Sequence, residues 1–181
     1  MSMRSWLEDA LKRLSLTVVP AELLYRLWHH RRKGMPRTED GTTEELRSIA
    51  VQDGVHLDVY WTVVAQGAGP CASLFVLDEE VLRLDCFAGN SAHMHLNPVQ
   101  LNLPLPWAVT PRIAFPPGNM EAQIERATFE LETNTKAALQ MNQLARFRKF
   151  PIKRSALAAA AKQMKSYMLE LAARHNCKDE R

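Results

Sequence analysis

The sequence predicts an α+β fold, in which an antiparallel β-meander of four or five strands is preceded by two short helices and covered by two long C-terminal helices. Three observations lead to this prediction. Residues 55–64 alternate between apolar and polar side chains, as a strand buried on one side does. Tight turns separate the short strands, which favours antiparallel pairing because parallel strands need a long crossover. After residue 119, apolar residues recur at the helical spacings of three, four and seven.

The chain of 181 residues is predicted to form a single domain, because this length can bury a substantial core. Its parts follow in order: N-terminal helices over residues 1–34, the sheet over 46–98, a proline-rich connection over 99–118 and a pair of helices over 119–176. No internal repeat or low-complexity segment interrupts this order.

Two short helices are expected before the sheet. Ser5 and Glu8 have the spacing of a capping box, which predicts a first helix that ends near Leu16. Pro20 suits the first turn of a second helix, where its missing N–H costs nothing. A run of cations followed by Gly34 is typical of the end of that helix.

The strands are predicted from turns and from alternation. Asp53 and Gly54 suit a two-residue hairpin turn, because both central residues need a positive φ. The segment 67–70 is expected to interrupt the sheet, since it contains two glycines and a proline. The predicted strands lie at residues 47–52, 55–64, 72–77 and 81–87, and residues 93–96 form either a short last strand or an extended loop. Residues 44–50 could instead begin as a helical turn.

The proline-rich connection is expected to wrap the sheet in extended form, because its apolar residues need burial. Asn119 can then cap a helix that runs from Met120 to about Phe147. Ser155 is expected to cap the last helix. These two helices would cover the apolar face of the sheet, since each element buries its apolar side against another.

The opposite face of the sheet is expected to be polar. If the strand register allows it, seven polar side chains share this face: His56, Asp58, Tyr60, Arg83, Asp85, His93 and His95. The prediction depends on register, because a slip of one residue moves every side chain of a strand to the other face.

The pair His93 and His95 is the main candidate site. Residues two apart on a strand project to the same face, so both imidazoles could share a metal ion or flank one substrate group. With Asp85 or Asp58 as the third ligand, they would form a His₂–carboxylate site with open positions. A divalent metal is therefore the possible cofactor. The alternative is a partly exposed strand whose histidines bond to backbone or water.

Without a metal, the same residues suit proton transfer. His93 and His95 could move protons while Arg83 stabilises an anion, as phosphodiester cleavage requires. In both versions the expected partner is a small anionic ligand, and the expected chemistry is hydrolysis of a phosphate-containing substrate. For His56, Asp58 and Tyr60, the alternative to a role in this site is a solvated sheet face.

A basic segment gives a second hypothesis. It contains Arg146, Arg148, Lys149, Lys153 and Arg154. Phe147 and Phe150 lie between these charges, and interleaved cations and rings can hold phosphates and stack bases, so the segment could bind nucleic acid. The alternative is that the cations complement helix C-termini on a solvated surface.

A third hypothesis is a non-catalytic subunit whose long C-terminal helices form a homodimer or bind a protein partner.

The formal net charge of +3 is too small to imply a nucleic-acid partner by itself. No apolar run approaches the roughly 18–20 residues of a membrane helix. The charged N-terminus is unlike a secretory signal, and three cysteines without ligand spacing indicate reduced thiols, so a cytoplasmic location is expected.

Overall fold

The structure, a computed structural model, describes residues 42–98 and 112–179, except residues 66, 78, 88 and 143. Within this part of the chain the fold is α+β, as predicted, with one six-stranded antiparallel sheet and C-terminal helices packed on it. The predicted number of strands, four or five, was therefore too low. The two short helices predicted over residues 1–34 lie outside the described residues.

The strands pair in chain order and form a meander. They are β1 (Thr42–Gln52), β2 (Val55–Val64), β3 (Gly67–Val76), β4 (Glu79–Asp85), β5 (His93–Leu96) and β6 (Arg112–Ala114). The helices that follow are α1 (Met120–Met141), α2 (Ala145–Arg148) and α3 (Arg154–Asp179).

The predicted hairpin between β1 and β2 is confirmed. Gln52 pairs with Val55, but of the two turn residues only Gly54 has a positive φ, at +71°, so the expectation of a positive φ at Asp53 was wrong. β1 begins five residues before the predicted start at Arg47, because residues 42–44 continue to pair with β2. The register shifts between Glu44 and Arg47, where Glu45 has φ +54°, as at a β-bulge.

The segment Gly67–Pro70 does not interrupt the sheet, contrary to the prediction, but forms the first part of β3. It pairs in continuous register with the end of β2, from Val64 opposite Gly67 to Trp61 opposite Pro70. Gly69 permits this pairing because a Cβ there would lie 2.2 Å from the carbonyl oxygen of Cys86. The glycine therefore marks a close approach of two backbones and not a turn.

β6 was missed by the sequence prediction, which placed its residues in the extended connection. Its three residues pair with β5, so that His93 lies opposite Ala114 and His95 lies opposite Arg112. A segment of three residues is too short for alternation to identify it as a strand. Its position matters because it adds Arg112 to the sheet beside the two histidines.

α1 begins as predicted at the cap residue Asn119, whose side-chain oxygen accepts a hydrogen bond from the backbone N–H of Ala122 at 2.9 Å. It ends at Met141 and not near Phe147. Asn142 is extended, donates to the side-chain oxygen of Asn97 at 2.8 Å and accepts from the N–H of Leu144 at 2.9 Å. These bonds replace the next helical turn. Similarly, Ser155 lies within the first turn of α3 and not at its cap.

The core lies between the sheet and the helices. Fully buried side chains from both layers form it, including Leu57, Leu74, Leu82 and Leu84 of the sheet and Ile124, Leu131, Met164, Met168 and Leu171 of the helices. The helices therefore cover one face of the sheet and leave its other face to the polar side chains.

In the described ranges, none of the helices combines the length and apolar character that crossing a membrane requires.

Candidate metal centre

Strand pairing aligns polar side chains on the face opposite the helices. One row across the sheet contains Tyr60, Cys71, Asp85 and His93. The adjacent row contains Asp58, Ser73, Arg83, His95 and Arg112. His56 lies in a third row, opposite Phe75. The register therefore places all seven residues predicted for this face on it.

Asp85, His93 and His95 converge on one point. The Nε2 atoms of the two histidines lie 2.9 Å apart, and the Oδ2 atom of Asp85 lies 3.1 Å from His93 Nε2 and 3.4 Å from His95 Nε2. Asp85 is the last residue of β4, and His93 is paired directly with it on β5. The convergence follows from the antiparallel pairing of two short strands.

A backbone carbonyl orients the His93 ring. Its Nδ1 lies 2.6 Å from the carbonyl oxygen of Ser91, so Nδ1 carries the proton and donates it to that oxygen. The other ring nitrogen, Nε2, faces Asp85 and His95. Arg112 Nη2 lies 3.2 Å from the same Nδ1, but a guanidinium only donates, so this approach adds no hydrogen bond. A metal-ligating histidine usually has this kind of second partner.

Asp85 is ionised despite its burial. Burial alone would raise its pKa, but hydrogen bonds from His93 and His95 and the positive charge of Arg83 outweigh it and hold the pKa of Asp85 well below its usual range. The group is 7% exposed. The cluster therefore offers one full negative charge and two imidazole nitrogens to a shared point.

Arg83, in the adjacent row of side chains, forms an ion pair with Glu80. Its Nε and Nη2 donate to Oε1 and Oε2 of Glu80, each at 2.7 Å. Glu80 Oε1 also accepts from the hydroxyl of Ser73 at 2.6 Å. One edge of the guanidinium is thus engaged by a carboxylate, and sequence reasoning did not identify this partner for the residue expected to bind an anion.

Tyr60 completes the polar layer. Its hydroxyl lies 3.1 Å from Ser73 Oγ. Burial, together with the neighbouring Cys71, raises the pKa of Tyr60 far above its usual value, so the phenol keeps its proton. Burial likewise raises the pKa of the Cys71 thiol, and the adjacent Asp85 raises it further. Both groups remain neutral beside the ionised carboxylate.

A cavity of about 200 Å³ opens onto the cluster. Its walls combine the three converging residues with cations and with uncharged side chains: Asp85, His93, His95, Arg83, Arg112, Tyr60, Thr62, Val64 and Phe87. The Phe87 ring meets the His93 ring edge to face at 6.0 Å. This volume is sufficient for a small anion and only a short organic group.

Two residues predicted for the polar face lie outside this cavity. His56 stacks on Phe75 with ring centroids 4.8 Å apart, and its Nε2 lies 3.9 Å from Asp58 Oδ2. Of the two carboxylates considered as the third ligand, it is Asp85 that converges with the histidines. His56 and Asp58 form a separate pair on the same face.

The basic segment lies away from this site. Phe147 is fully buried in the core, and Arg146 lies over its ring at 4.7 Å, so this ring is unavailable to a base. Lys153 uses its backbone N–H to bond Gln52 of β1. Arg148, Lys149 and Arg154 line a different cavity.

Arg112 is the site residue that sequence reasoning missed. It lies opposite His95 and lines the cavity, whereas the sequence placed it in an irregular connection between Pro111 and Pro116. A single arginine followed by three apolar residues gave no pattern from which a pairing with β5 could be inferred.

Comparison with known proteins yields no match: no family model, no curated protein and no solved structure matches this chain.

Proposed function

We propose that the protein binds a divalent transition-metal ion through Asp85 Oδ2, His93 Nε2 and His95 Nε2. The observation that carries the proposal is the convergence of these three atoms, all within 4.8 Å of one another. Atoms separated by 2.9, 3.1 and 3.4 Å can all lie about 2.0–2.1 Å from one ion.

The ligand set determines the kind of metal. Two imidazoles and one carboxylate suit Zn²⁺, Fe²⁺, Mn²⁺ or Ni²⁺, whereas Ca²⁺ and Mg²⁺ prefer oxygen ligands alone. Three protein ligands leave further positions for water or substrate. A single carboxylate neutralises only half the charge of a divalent ion, so the complex would attract an anion.

The proposed substrate is a small phosphate-containing molecule, and the proposed reaction is its hydrolysis. A bound metal would polarise a phosphoryl oxygen and lower the pKa of bound water. Arg112 lines the same cavity and can donate to a second phosphoryl oxygen. The cavity of about 200 Å³ favours a monoester with a short body.

Metal binding is tested on purified protein that has been stripped with chelator and titrated with Zn²⁺, Mn²⁺, Fe²⁺ and Ni²⁺. We expect about one equivalent of one of these ions per chain, lost on His95→Asn. His56→Asn is the matched control, because His56 lies on the same face but outside the cluster. Less than about a tenth of an equivalent in the wild type, or equal loss in the control, would contradict the metal site.

Hydrolysis is tested with p-nitrophenyl phosphate on the metal-loaded protein. Activity that disappears on chelation, returns with metal and is absent in His95→Asn would support the reaction. If metal binds but no phosphate ester is cleaved, the metal site stands and the proposed reaction does not.

One observation favours the alternative of an interaction subunit. Phe129 of α1 is 54% exposed, and contact with a second chain would remove this large apolar side chain from solvent. Light scattering would show a dimer that Phe129→Ser weakens, and a monomer at all concentrations would exclude self-association.

A cytoplasmic location belongs to the main proposal, because Cys71 and Cys86 are free buried thiols.

A further inference from the structure

A second and larger cavity lies between α1, the connection from α2 to α3, and the first turn of α3. Its volume is about 600 Å³, within the range of roughly 300–1,000 Å³ that is usual for small-molecule sites. None of its lining residues belongs to the metal centre. This cavity is therefore independent of the proposed metal site and its reaction.

The inner wall of this cavity is apolar. Leu139 of α1 and Leu157 of α3 are each 4% exposed, and Phe150 and Ile152 pack beside them as half-buried side chains. Such a wall favours an apolar group over water, because burial removes apolar surface from solvent.

The connection that supplies Phe150 and Ile152 is fixed to the sheet. Gln52 of β1 donates from Nε2 to the carbonyl oxygen of Pro151 at 2.9 Å and accepts from the backbone N–H of Lys153 at 2.8 Å. One side chain thus holds both sides of Ile152 in place. The wall is formed before any ligand arrives, which reduces the entropic cost of binding.

The rim of the cavity is positively charged. It carries four cations, Lys136, Arg148, Lys149 and Arg154, and one carboxylate, Glu132. α3 begins at Arg154, and its first turn contains no acidic residue that would offset the partial positive charge of a helix N-terminus. The rim therefore favours an anionic head group.

We infer that this cavity binds an amphipathic anion, a molecule with a carboxylate or phosphate head and an apolar tail. The head would lie against Lys149 and Arg154 at the start of α3, and the tail against Leu139, Phe150 and Ile152. An inorganic anion would leave the apolar wall unused, and a neutral lipid would leave the cations unused. Single-stranded nucleic acid fits less well, because Phe147 is buried and cannot stack on a base.

The inference is tested by displacement of the fluorescent anion 8-anilinonaphthalene-1-sulfonate from the full-length protein. Decanoate and decyl phosphate should displace it, whereas decanol, inorganic phosphate and a dT oligonucleotide should do so poorly. The double variant Lys149→Gln, Arg154→Gln should weaken decanoate binding by roughly tenfold or more. Ile152→Asn should weaken it through the apolar wall. If decyl phosphate competes far better than decanoate, the head group is a phosphate; the reverse result identifies a carboxylate.

Lys162→Gln is the matched control, because Lys162 is an exposed cation of α3 that does not line the cavity. Circular dichroism should show the same helix content in all variants, since every substituted residue is exposed or half-buried. Equal weakening in the control, equal displacement by decanol, or stronger displacement by the oligonucleotide would each overturn the inference.

Discussion

Two buried carboxylates at opposite ends of β4 have pKa values shifted in opposite directions. Glu79 begins the strand and is 1% exposed, and Asp85 ends it and is 7% exposed. Burial by itself would raise the pKa of both groups. The pKa of Asp85 is nevertheless well below its usual range, whereas the pKa of Glu79 is raised to about 7. The depth of burial is similar, so the neighbours determine the difference.

Asp85 faces partners that stabilise its negative charge, and Glu79 does not. Two imidazoles and the charge of Arg83 favour the ionised Asp85. Glu79 lies opposite the core residue Val76, and neither of its carboxyl oxygens has a hydrogen-bond partner among the described residues. Asn142 and Arg146 lower its pKa only in part. One strand thus carries a carboxylate suited to a cation and another that tends to keep its proton below about pH 7.

The largest effect is expected for the metal affinity of Asp85→Asn. Loss of a charged ligand should weaken Zn²⁺ binding on the order of a thousandfold, since loss of an outer partner alone typically costs about 10–100-fold. Glu79→Gln removes a carboxylate from the other end of the same strand and should leave the affinity unchanged. Isothermal titration calorimetry measures both. Equal losses of Zn²⁺ affinity in the two variants would contradict the assignment of Asp85, and not Glu79, as a metal ligand.

The next effect concerns stability and pH. The pKa of Glu79 is 4.5 in its ordinary state and about 7 in the folded protein. Between these two pH values Glu79 keeps its proton in the folded state, while the unfolded chain releases it. The free energy of unfolding therefore falls as pH rises through this window. The loss should reach about 3 kcal/mol above pH 7. Glu79→Gln cannot ionise, so its stability relative to the wild type should rise by that amount between pH 4.5 and pH 8.

Urea denaturation at several pH values checks this expectation. The comparison between pH values cancels any constant cost of placing an amide at this position. A stability difference between Glu79→Gln and wild type that does not change with pH would mean that Glu79 ionises in the folded state as readily as in the unfolded chain.

A smaller effect is expected for Arg112→Gln. The side chain lines the cavity but is not one of the converging groups, so Zn²⁺ affinity should stay within about threefold of the wild type. Binding of inorganic phosphate to the Zn²⁺-loaded protein should weaken by roughly tenfold through loss of a charge-assisted hydrogen bond. Calorimetry with each ligand separates the two roles, and a large loss of metal affinity would contradict this assignment.

The smallest effect is expected for Arg146→Gln. Its charge lowers the pKa of Glu79, but Arg146 is exposed and solvent weakens the interaction. Its removal should move the pH-dependent loss of stability to slightly higher pH. The denaturation series described for Glu79→Gln would detect this shift, and a shift to lower pH would have the wrong sign.

The sequence predicted those features that depend on local pattern. Alternation over Val55–Val64 and the Asp53–Gly54 turn placed β2 correctly, and antiparallel pairing then brought Asp85 beside His93. Alternation within β2 assigned Tyr60, and alternation within β4 assigned Arg83, to the face that each occupies. Period two is a robust signal when a strand is long and one of its faces is buried.

Features that depend on distant partners were not predictable in this way. The pairing of β6 that brings in Arg112 depends on contact with β5, and the end of α1 depends on the bond between Asn142 and Asn97, which are far apart in sequence. The β3 start depends on Gly69 lying against Cys86. Each of these is a tertiary contact, and local periodicity does not contain it.

Anomalous diffraction from crystals grown with Zn²⁺ would locate the proposed metal ion. We expect one anomalous peak about 2.0–2.1 Å from Asp85 Oδ2, His93 Nε2 and His95 Nε2. Anomalous density at other positions but none at this one, with the three side chains ordered, would contradict the proposed metal site.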